Sequence, residues 1–465
     1  MICAAFLLPP LLFAAATDNP VATLHEAAPP LAPDAQVQDW PWFAGPTHDG
    51  VCRETFLLEK WPAGGPKLLW EMAKGSGYSS PSVAGDLLVY FHRVGDEEVV
   101  LCLDAETGVR RWRFAYPTRY RDRYGYSNGP RATPVIEARR VTTLGAEGML
   151  HCLDIDSGKQ FWTRNLQRDF RQPSGFFGVT ASPLLEGGLL IVNVGAPQAD
   201  DGACVVAFDK LTGETRWQSG NQWGASYASP MPATIHGQRR ILIFAGGESK
   251  PPSGGLICLD PSDGRIDFRF PWRSRTFESV NASTPIVAGN RVFVTASYKT
   301  GGALVEVSED LAHRAAWTTD KLASHFSTVH HRDDHLYGID GRHANQTALV
   351  CLEMRTGRQV WRHEPKWQET YRTEGMDRRA DFGIGRAALL RVGDRFLCLG
   401  ETGHLLQLKL TPDTHEITQR AWLFAAADSW TPPVISRGLL YVVQNKRDFV
   451  TGEGPRLLCY SLRGE

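Results

Sequence analysis

The sequence lacks several motifs that mark common catalytic and metal-binding classes. It has no phosphate-binding Gly-X-X-X-X-Gly-Lys-Ser/Thr loop and no His-Glu-X-X-His zinc motif. It has no Cys-X-X-Cys-His haem site, and no two of its nine cysteines are adjacent. We therefore predict no catalytic residue and no metal site. The chain is expected to be a binding protein rather than an enzyme, although an enzymatic role stays open.

Excess charge and long apolar runs are also missing. The formal net charge is −1, which argues against a nucleic-acid partner. The N-terminal apolar stretch from Ile2 to Ala16 is too short to span a bilayer. Small residues at its end predict a signal peptide over residues 1–16, although no Lys or Arg precedes the apolar run. The protein is expected to be periplasmic or secreted and not membrane-spanning, with a disordered leader over 17–39.

One phrase recurs along most of the chain. It reads VVLCLDAETGVRRW from Val99 to Trp112 and MLHCLDIDSGKQFW from Met149 to Trp162. Further copies end at Trp217, Phe268 and Trp361, and weaker copies end at Trp317 and Trp422. A strand-rich repeat with a period of roughly 45–60 residues is typical of β-propeller blades.

The number of blades follows from their starts, most of which join a small residue, a hydroxyl residue and a proline. Eight starts fall near residues 79, 132, 181, 228, 283, 327, 387 and 431. The last blade ends before any Trp-bearing strand, and the segment Lys67–Ala73 precedes the first blade. We therefore predict an all-β, eight-bladed propeller of four-stranded antiparallel blades, with the N-terminal strand closing the last blade. The propeller domain spans 65–465 after an arm over 40–64, and seven blades is the alternative.

The tryptophan of each copy is predicted to seal one blade against the next, because it offers a large apolar area. These structural closure residues are Trp70, Trp112, Trp162, Trp217, Trp317, Trp361 and Trp422.

The cysteines do not form a disulfide pattern. Cys102, Cys152, Cys258, Cys351 and Cys459 share one position of the repeat. Equivalent positions of different blades lie beyond the roughly 7 Å that a disulfide allows between Cα atoms. These thiols are therefore expected to be small buried apolar groups. A pair among Cys52, Cys204 and Cys398 stays open.

The phrase LxLDxxTGxxxW resembles the pyrroloquinoline-quinone-type (PQQ-type) propeller repeat, over nearly the whole chain after about residue 65. This repeat is found in quinoprotein dehydrogenases and in the outer-membrane barrel-assembly lipoprotein. The arm WPWFAGPTHDG resembles the start of a group of exported PQQ-like repeat proteins. In the dehydrogenases the quinone lies on the axis beside a vicinal disulfide and a calcium ion. This resemblance implies the fold. PQQ and calcium are only the alternative for this chain, because it has no vicinal cysteines and its residues could not be matched to the calcium ligands of the dehydrogenases.

The two faces of such a propeller differ in loop length. Turns within the repeated phrase are short, whereas the loops between second and third strands and between blades are long; we call their side the long-loop face. Long loops on a rigid scaffold are where binding usually occurs. The candidate ligand-binding residues of the long-loop face are Arg119, Arg121, Arg123, Tyr124, Tyr126, Arg131, Arg171, Phe177, Trp223, Arg275, Arg342, His343 and Arg386.

Arginine forks beside aromatic rings suit a planar anionic ligand or an acidic protein segment. We therefore predict a monomeric scaffold that binds a protein or a small anionic ligand, without a cofactor. The competing interpretation is a solvated loop whose arginines pair with Asp122 and Glu137. A metal site at His330 and His331 is not expected, because neighbouring strand residues point to opposite faces.

Overall fold

The computed structural model describes residues 21–198, 202–343 and 346–464. The predicted signal peptide lies outside these residues. Three strands precede the first blade, namely β1 (Ala22–Leu24), β2 (Val51–Cys52) and β3 (Lys67–Ala73). In the described part of the chain, no helix has the length and apolar character needed to cross a bilayer.

The first four blades are consecutive four-stranded antiparallel sheets. Blade 1 contains β4 (Ser82–Ala84), β5 (Leu87–Val94), β6 (Glu97–Asp104) and β7 (Arg110–Pro117). Blade 2 contains β8 (Val135–Glu137), β9 (Arg140–Leu144), β10 (Met149–Asp154) and β11 (Gln160–Asn165), and is followed by helix α1 (Leu166–Phe170). Blade 3 contains β12 (Leu184–Glu186), β13 (Leu189–Ala196), β14 (Ala203–Asp209) and β15 (Thr215–Ser219). Blade 4 contains β16 (Met231–Ile235), β17 (Gln238–Ala245), β18 (Gly255–Leu259) and β19 (Ile266–Pro271).

The second half repeats this pattern with one insertion. Blade 5 contains β20 (Ile286–Ala288), β21 (Arg291–Ala296), β22 (Gly301–Val307) and β23 (His313–Thr319). Blade 6 contains β24 (His330–Arg332), β25 (His335–Asp340), β26 (Ala348–Glu353) and β27 (Gln359–His363). The inserted hairpin is β28 (Lys366–Thr373) and β29 (Met376–Gly383). Blade 7 contains β30 (Ala388–Val392), β31 (Arg395–Leu399), β32 (His404–Thr411) and β33 (Thr414–Trp422). Blade 8 contains β34 (Val434–Ser436), β35 (Leu439–Gln444) and β36 (Arg456–Ser461).

The eighth blade is completed by β3, which pairs antiparallel with β36. Trp70 lies opposite Cys459, as Trp112 lies opposite Cys102 in blade 1. The prediction of eight blades closed by the N-terminal strand is confirmed, and the seven-bladed alternative is wrong.

The repeated tryptophan joins neighbouring blades by a hydrogen bond as well as by packing. In six copies its indole N–H donates to a backbone carbonyl in the turn between the third and fourth strands of the next blade, with distances from 2.6 to 3.3 Å. These donors are Trp70, Trp112, Trp162, Trp217, Trp317 and Trp361.

The glycine of the Thr-Gly turn is required by this packing. Gly108 has φ +70, and a Cβ built there would lie 2.8 Å from the ring of Trp70. In blade 4 the tryptophan is replaced by Phe268, and the following turn carries Leu311 in place of glycine. Leu311 packs against the apolar cluster that contains Phe268. Phe in the tryptophan position thus occurs together with Leu in the glycine position, because the larger Leu311 fills space that the smaller Phe268 leaves.

Trp422 does not take the position that the repeat predicts. The residue opposite the bulge of the third strand in blade 7 is Gln419, which pairs with Gln407. Gln419 accepts a hydrogen bond from the backbone N–H of Trp61 at 2.6 Å. Trp422 lies opposite His404 and stacks on its ring at 4.7 Å, beneath Phe382 of the inserted hairpin. The segment before β3 thus contacts Gln419 through Trp61, whereas Trp422 packs against the inserted hairpin.

The cysteine register is as predicted, and all eight described cysteines are free and buried. Cys52, Cys204 and Cys398 are among these free thiols, so the pair that the sequence left open does not form.

The arm over 40–64 crosses the face opposite the long loops and touches blade after blade. Trp40 bridges Val83 of blade 1, and Pro41 accepts a hydrogen bond from the backbone of Ile136 in blade 2. Strand β2 adds in parallel to the innermost strand β30 of blade 7. The carboxylate of Glu54 then accepts hydrogen bonds from the backbone N–H groups of Arg437 and Gly438 in blade 8. The arm therefore ties early blades to late ones.

The leader over 17–39 differs from the predicted disorder where it is described, from residue 21 onward. Strand β1 pairs with the outer edge of β3, so blade 8 has five strands. The composition, rich in Ala and Pro, gave no sign of this strand because its three residues are mostly exposed.

Candidate functional site

The connections that lead into the eight blades converge on a cavity of about 260 Å³ at the propeller axis. We call it the axial pocket. Each connection supplies at least one lining residue, including Tyr78 for blade 1, Arg131 for blade 2 and Trp430 for blade 8. The full lining is Phe43, Tyr78, Tyr126, Arg131, Phe177, Thr180, Ser182, Tyr227, Ser229, Val280, Ala282, Tyr298, His325, Phe326, Arg342, Arg386, Trp430 and Pro432.

Small hydroxyl residues at the blade starts hold the pocket walls together. The Ser182 hydroxyl accepts from the backbone N–H of Thr133 at 2.8 Å, and the Ser229 hydroxyl accepts from that of Ser182 at 2.9 Å. The Ser80 hydroxyl donates to the carbonyl of Pro432 across the ring closure. These bonds link innermost strands of neighbouring blades, which share no ladder. The small-hydroxyl-Pro pattern therefore positions the site as well as starting each blade.

Phe43 forms the floor of the axial pocket. It belongs to the arm, and the adjacent Trp42 stacks on His48 with ring centroids 5.2 Å apart. Trp42, Phe43 and His48 together line a small space beneath the starts of blades 3 and 4. The arm thus reaches the axis from the face opposite the long loops, and Phe43 lines the pocket from that side.

Aromatic rings form a connected patch around the pocket. Trp430 stacks on Tyr78 at 5.4 Å and contacts Tyr126 at 5.5 Å and Phe326 at 6.1 Å. The patch continues from Tyr126 to Phe177 and from there to Tyr124. Tyr124 and Tyr126 are the exposed members, at 47% and 39% of their surface. An exposed aromatic rim around a pocket is typical of a binding surface.

Two of the three pocket arginines are already neutralised. Arg131 pairs with the fully buried carboxylate of Asp122 at 2.5 Å. Arg386 pairs with Glu401 at 2.6 Å and lies 4.0 Å over the ring of Trp430. Glu401 also accepts the indole N–H of Trp430 at 2.8 Å, so it positions both the cation and the ring.

Arg342 differs from these two. Within the described residues it has no ion pair and no hydrogen bond, and its Nε atom is buried without an acceptor. Its guanidinium lies 4.3 Å over the ring of Tyr298. Beside it, Nε2 of His325 lies 3.2 Å from the Tyr298 hydroxyl. Burial, together with the nearby Arg342 and Arg386 charges, lowers the pKa of His325 to about 3, so this ring is neutral at physiological pH.

The structure brings together five of the residues that the sequence selected, which are Tyr126, Arg131, Phe177, Arg342 and Arg386. The others lie outside the pocket lining. Arg121 and Arg123 make exposed pairs with Asp96 and Glu248. Arg119, Arg275 and His343 are exposed, and Arg171 caps helix α1. Trp223 packs against the apolar cluster between blades 3 and 4.

The solvated-loop interpretation named the right partner for one arginine of the loop over 113–131, although that pair is buried and not solvated. Arg131 pairs with Asp122 as that interpretation expected, whereas Glu137 pairs with Lys210 rather than with an arginine.

Sequence reasoning missed several pocket aromatics that follow a simple rule. Tyr78, Tyr227, Phe326 and Trp430 each stand directly before the small or hydroxyl residue that starts a blade. The same rule would have found one lining residue at each of the eight blade starts, because the residue before a blade start lies at the mouth of the axis.

A Gly-X-Ser-X-Gly pattern, a known nucleophile signature, does occur at Gly125–Gly129 in the long loop of blade 1. The structure shows a loop there rather than a strand-to-helix turn. The Ser127 hydroxyl accepts from the backbone N–H of Gly129 at 3.4 Å, and in the described residues no histidine hydrogen-bonds to it. The pattern therefore lacks the base and the backbone context of a serine nucleophile.

The residues around the pocket do not fit a quinone held beside calcium. Both oxygens of Glu401 already accept hydrogen bonds, from Trp430 and from the side chain and backbone of Arg386. Among the described residues, no three His, Cys, Asp or Glu side chains come close enough to hold a metal ion. No quinone chemistry is therefore assigned to these groups.

A buried lysine stands behind the pocket wall, at the seam between blades 8 and 1. Lys74 donates to the carbonyl of Gly77 and to Oδ1 of Asn445, and it forms no ion pair with any carboxylate of the described residues. Burial, and to a smaller extent the charge of Lys446, lowers the pKa of Lys74 from 10.5 to about 7.

This lysine predicts a pH dependence of stability. Between pH 7 and 10.5 the unfolded chain keeps the Lys74 proton while the folded chain releases it, so folding is favoured as the pH rises. The Lys74 contribution to the free energy of unfolding should increase by up to about 1.4 kcal/mol per pH unit in this window. Below pH 7 both states are protonated, and the contribution is constant.

The measurement is the difference in unfolding free energy between wild type and Lys74→Met, by denaturant titration from pH 6 to 10. The difference is needed because burial raises the pKa of Cys102, Cys398 and other thiols, which lowers stability at alkaline pH in both proteins. The exposed Lys67→Met is the control and should show no such trend. A wild-type minus Lys74→Met difference that stays flat across pH would contradict the buried, unpaired lysine.

The comparisons with known proteins agree with the fold. A family model described as outer membrane protein assembly factor BamB matches residues 95–363, more than half of the chain. The chain is 24% identical over 238 residues to outer membrane protein assembly factor BamB of Yersinia pestis, covering 50% of this chain and 56% of that protein. It is 26% identical over 355 residues to the protein of the same name in Burkholderia pseudomallei, covering 74% of this chain and 79% of that one. The match to the first relative thus spans little more than half of its length.

Solved structures show the same architecture at low identity. Quinohemoprotein alcohol dehydrogenase from Comamonas testosteroni has a TM-score of 0.62 with 13% identity, covering 92% of this chain and 81% of that one. BamB from Moraxella catarrhalis has a TM-score of 0.54 with 15% identity, covering 85% of this chain and 99% of that one. At these identities the likeness concerns the fold alone.

Proposed function

Because the chain belongs to the PQQ-like propeller family described as outer membrane protein assembly factor BamB, we propose that it is a protein-binding scaffold whose contact point is the axial pocket. The observation that supports this is the aromatic rim with three arginines, one of them unpaired, on an otherwise rigid ring. Aromatic residues and arginine are enriched where proteins bind one another.

The side chains around the pocket are fixed in place by hydrogen bonds, as a preformed binding site requires. Glu401, Asp122 and the hydroxyl residues of the blade starts fix the surrounding groups through hydrogen bonds. Little conformational entropy is therefore lost when a partner binds. The pocket has no group placed as nucleophile with a base beside it, so we propose a binding role rather than catalysis.

We further propose a periplasmic location. The predicted signal peptide supports export, and the curated relatives are named as outer membrane protein assembly factors. A component that takes part in assembling outer membrane proteins is accordingly the class of partner that we propose.

The test is photo-crosslinking in the native host, with a photoreactive phenylalanine analogue at Tyr126 on the pocket rim. The matched control places the same residue at Val109, which is 60% exposed in a short turn of the opposite face. We expect a discrete protein adduct from position 126 and none from position 109. Equal labelling at both positions, or no adduct at 126, would count against a partner on the long-loop face.

A second arm tests the alternative of a quinoprotein oxidoreductase. Purified protein is titrated with pyrroloquinoline quinone, with and without calcium, and assayed for dye-linked oxidation of alcohols and sugars. We expect no saturable binding at millimolar concentration. Saturable binding with turnover would overturn the scaffold proposal.

A further inference from the structure

The unpaired Arg342 indicates that the axial pocket lacks an anionic acceptor for one of its arginines. Arg131 and Arg386 each have a carboxylate partner, whereas Arg342 has none among the described residues. A buried donor without an acceptor is unfavourable, because it has lost its hydrogen bonds to water. An anionic group brought by a partner would relieve this, because charge-assisted hydrogen bonds to guanidinium are among the strongest in proteins.

A second unpartnered donor-acceptor group lies beside it. His325 contacts the Tyr298 hydroxyl through Nε2, and its Nδ1 atom is buried without a partner. Both His325 and Arg342 lie against Tyr298, at 5.5 Å between ring centroids and 4.3 Å from guanidinium to ring. The unpartnered nitrogen atoms of Arg342 and His325 therefore lie on one wall of the pocket, beside Tyr298.

Most of the other large lining side chains are aromatic, namely Phe43, Tyr78, Tyr126, Phe177, Tyr227, Phe326 and Trp430. The two remaining arginines of the lining, Arg131 and Arg386, are already paired with carboxylates. The volume of about 260 Å³ is below the roughly 300–1,000 Å³ of most small-molecule sites. One aromatic side chain, stacked edge-on or offset against these rings, suits such a space.

We propose that the axial pocket receives one aromatic side chain of a partner segment, with an adjacent Asp or Glu carboxylate of that segment bound by Arg342. This rests on the proposed protein-binding function and adds the chemistry of the partner. The aromatic ring supplies apolar contact, and the carboxylate supplies the acceptor that Arg342 lacks.

The test uses capped pentapeptides and saturation-transfer NMR on the full-length protein. The probes are acetyl-Gly-Glu-Phe-Gly-Gly-amide, the same peptide with Gln for Glu, and the same peptide with Ala for Phe. We expect binding of the Glu-Phe peptide, about tenfold weaker binding of the Gln-Phe peptide, and no measurable binding of the Glu-Ala peptide. The capped ends remove terminal charges, so the preference reports the side-chain carboxylate.

Variants of the protein assign the preference to one arginine. Arg342→Met should abolish the difference between the Glu-Phe and Gln-Phe peptides without lowering the melting temperature, since Arg342 has no ion pair or hydrogen bond among the described residues. Arg342→Lys should keep part of the preference. Arg119→Met removes an exposed arginine that does not line the pocket, and should leave the preference unchanged.

Each outcome separates this inference from the proposed function. If position 126 crosslinks to a partner while the peptides show no preference for Glu, or Arg342→Met retains that preference, the inference is wrong and the scaffold function stands. If the Glu-Phe peptide binds through Arg342 while no partner crosslinks, the pocket chemistry stands and the protein-partner function does not.

Discussion

Trp70→Ala should lower the free energy of unfolding by about 3–5 kcal/mol, the loss usual for a large aromatic removed from a core. Trp70 is fully buried, donates its indole N–H to the carbonyl of Ala105 at 3.1 Å and lies against Gly108. Its ring also contacts Tyr441 at 6.2 Å between centroids. The substitution therefore leaves a cavity at the joint between blades 8 and 1, and breaks a hydrogen bond across it.

Thermal and denaturant unfolding of the purified variant measure this loss. Phe161→Ala is the control, because Phe161 also lies on a fourth strand but is 47% exposed. Its loss should stay below about 1 kcal/mol. A Trp70→Ala melt indistinguishable from wild type would show that β3 does not hold the ring closed.

Asp267→Ala should lower the free energy of unfolding by a similar amount, about 3–5 kcal/mol, because the buried Arg240 loses its nearest carboxylate and keeps only that of Asp260, 3.6 Å away. The Asp267 carboxylate is completely excluded from solvent and lies 2.5 Å from Nε of Arg240, whose side chain is 5% exposed. Its other oxygen lies 2.5 Å from Arg265. The N–H groups do not point squarely at these oxygens, so the attraction comes from charge proximity more than from hydrogen bonding.

Two further variants test whether the loss in Asp267→Ala comes from the unpaired buried charge. Asp156→Ala removes the exposed pair with Arg139, and should change stability by at most about 1 kcal/mol. The double variant Arg240→Met with Asp267→Leu replaces the buried pair by apolar groups, and should recover most of the loss. Denaturant unfolding of the three variants provides the numbers, and a double variant no more stable than Asp267→Ala would rule out the unpaired charge as the cause.

The ring could be predicted because one local phrase encodes a contact between blades. The Trp of one copy and the Gly of the next occupy a shared volume, so each copy carries half of the joint. Trp422 shows the limit of this reasoning. Its place in the sequence matches the repeated phrase, but the strand pairing puts Gln419 in the position that the tryptophan takes in the other blades. The difference arises from a register set by the arm and the inserted hairpin, neither of which belongs to the repeat.

The site was harder to predict than the ring. Composition of the loop over 113–131 drew attention to arginines, and most of these pair with nearby carboxylates on the surface. The pocket is instead built largely from residues of eight separate connections, such as Tyr78 and Trp430, which become neighbours only when the ring closes. Their sequence neighbourhoods carry little periodic signal, so only the position relative to each blade start could have identified them.

The pairing of β3 with β36 makes the order of synthesis matter. Residues that meet in this sheet, such as Trp70 and Cys459, are separated by nearly the whole chain. Contacts of such long sequence separation slow folding, and they form only after the intervening segments have been made. Until β36 has been made, the edge of β3 that pairs with it stays unpaired, and unpaired strand edges are prone to aggregation. A circular permutant that joins the end of β36 to the arm through a linker, and opens the chain at another blade boundary, would keep the arm and bring β3 and β36 close together in sequence. Such a permutant should refold faster than the natural chain order while keeping the same ring.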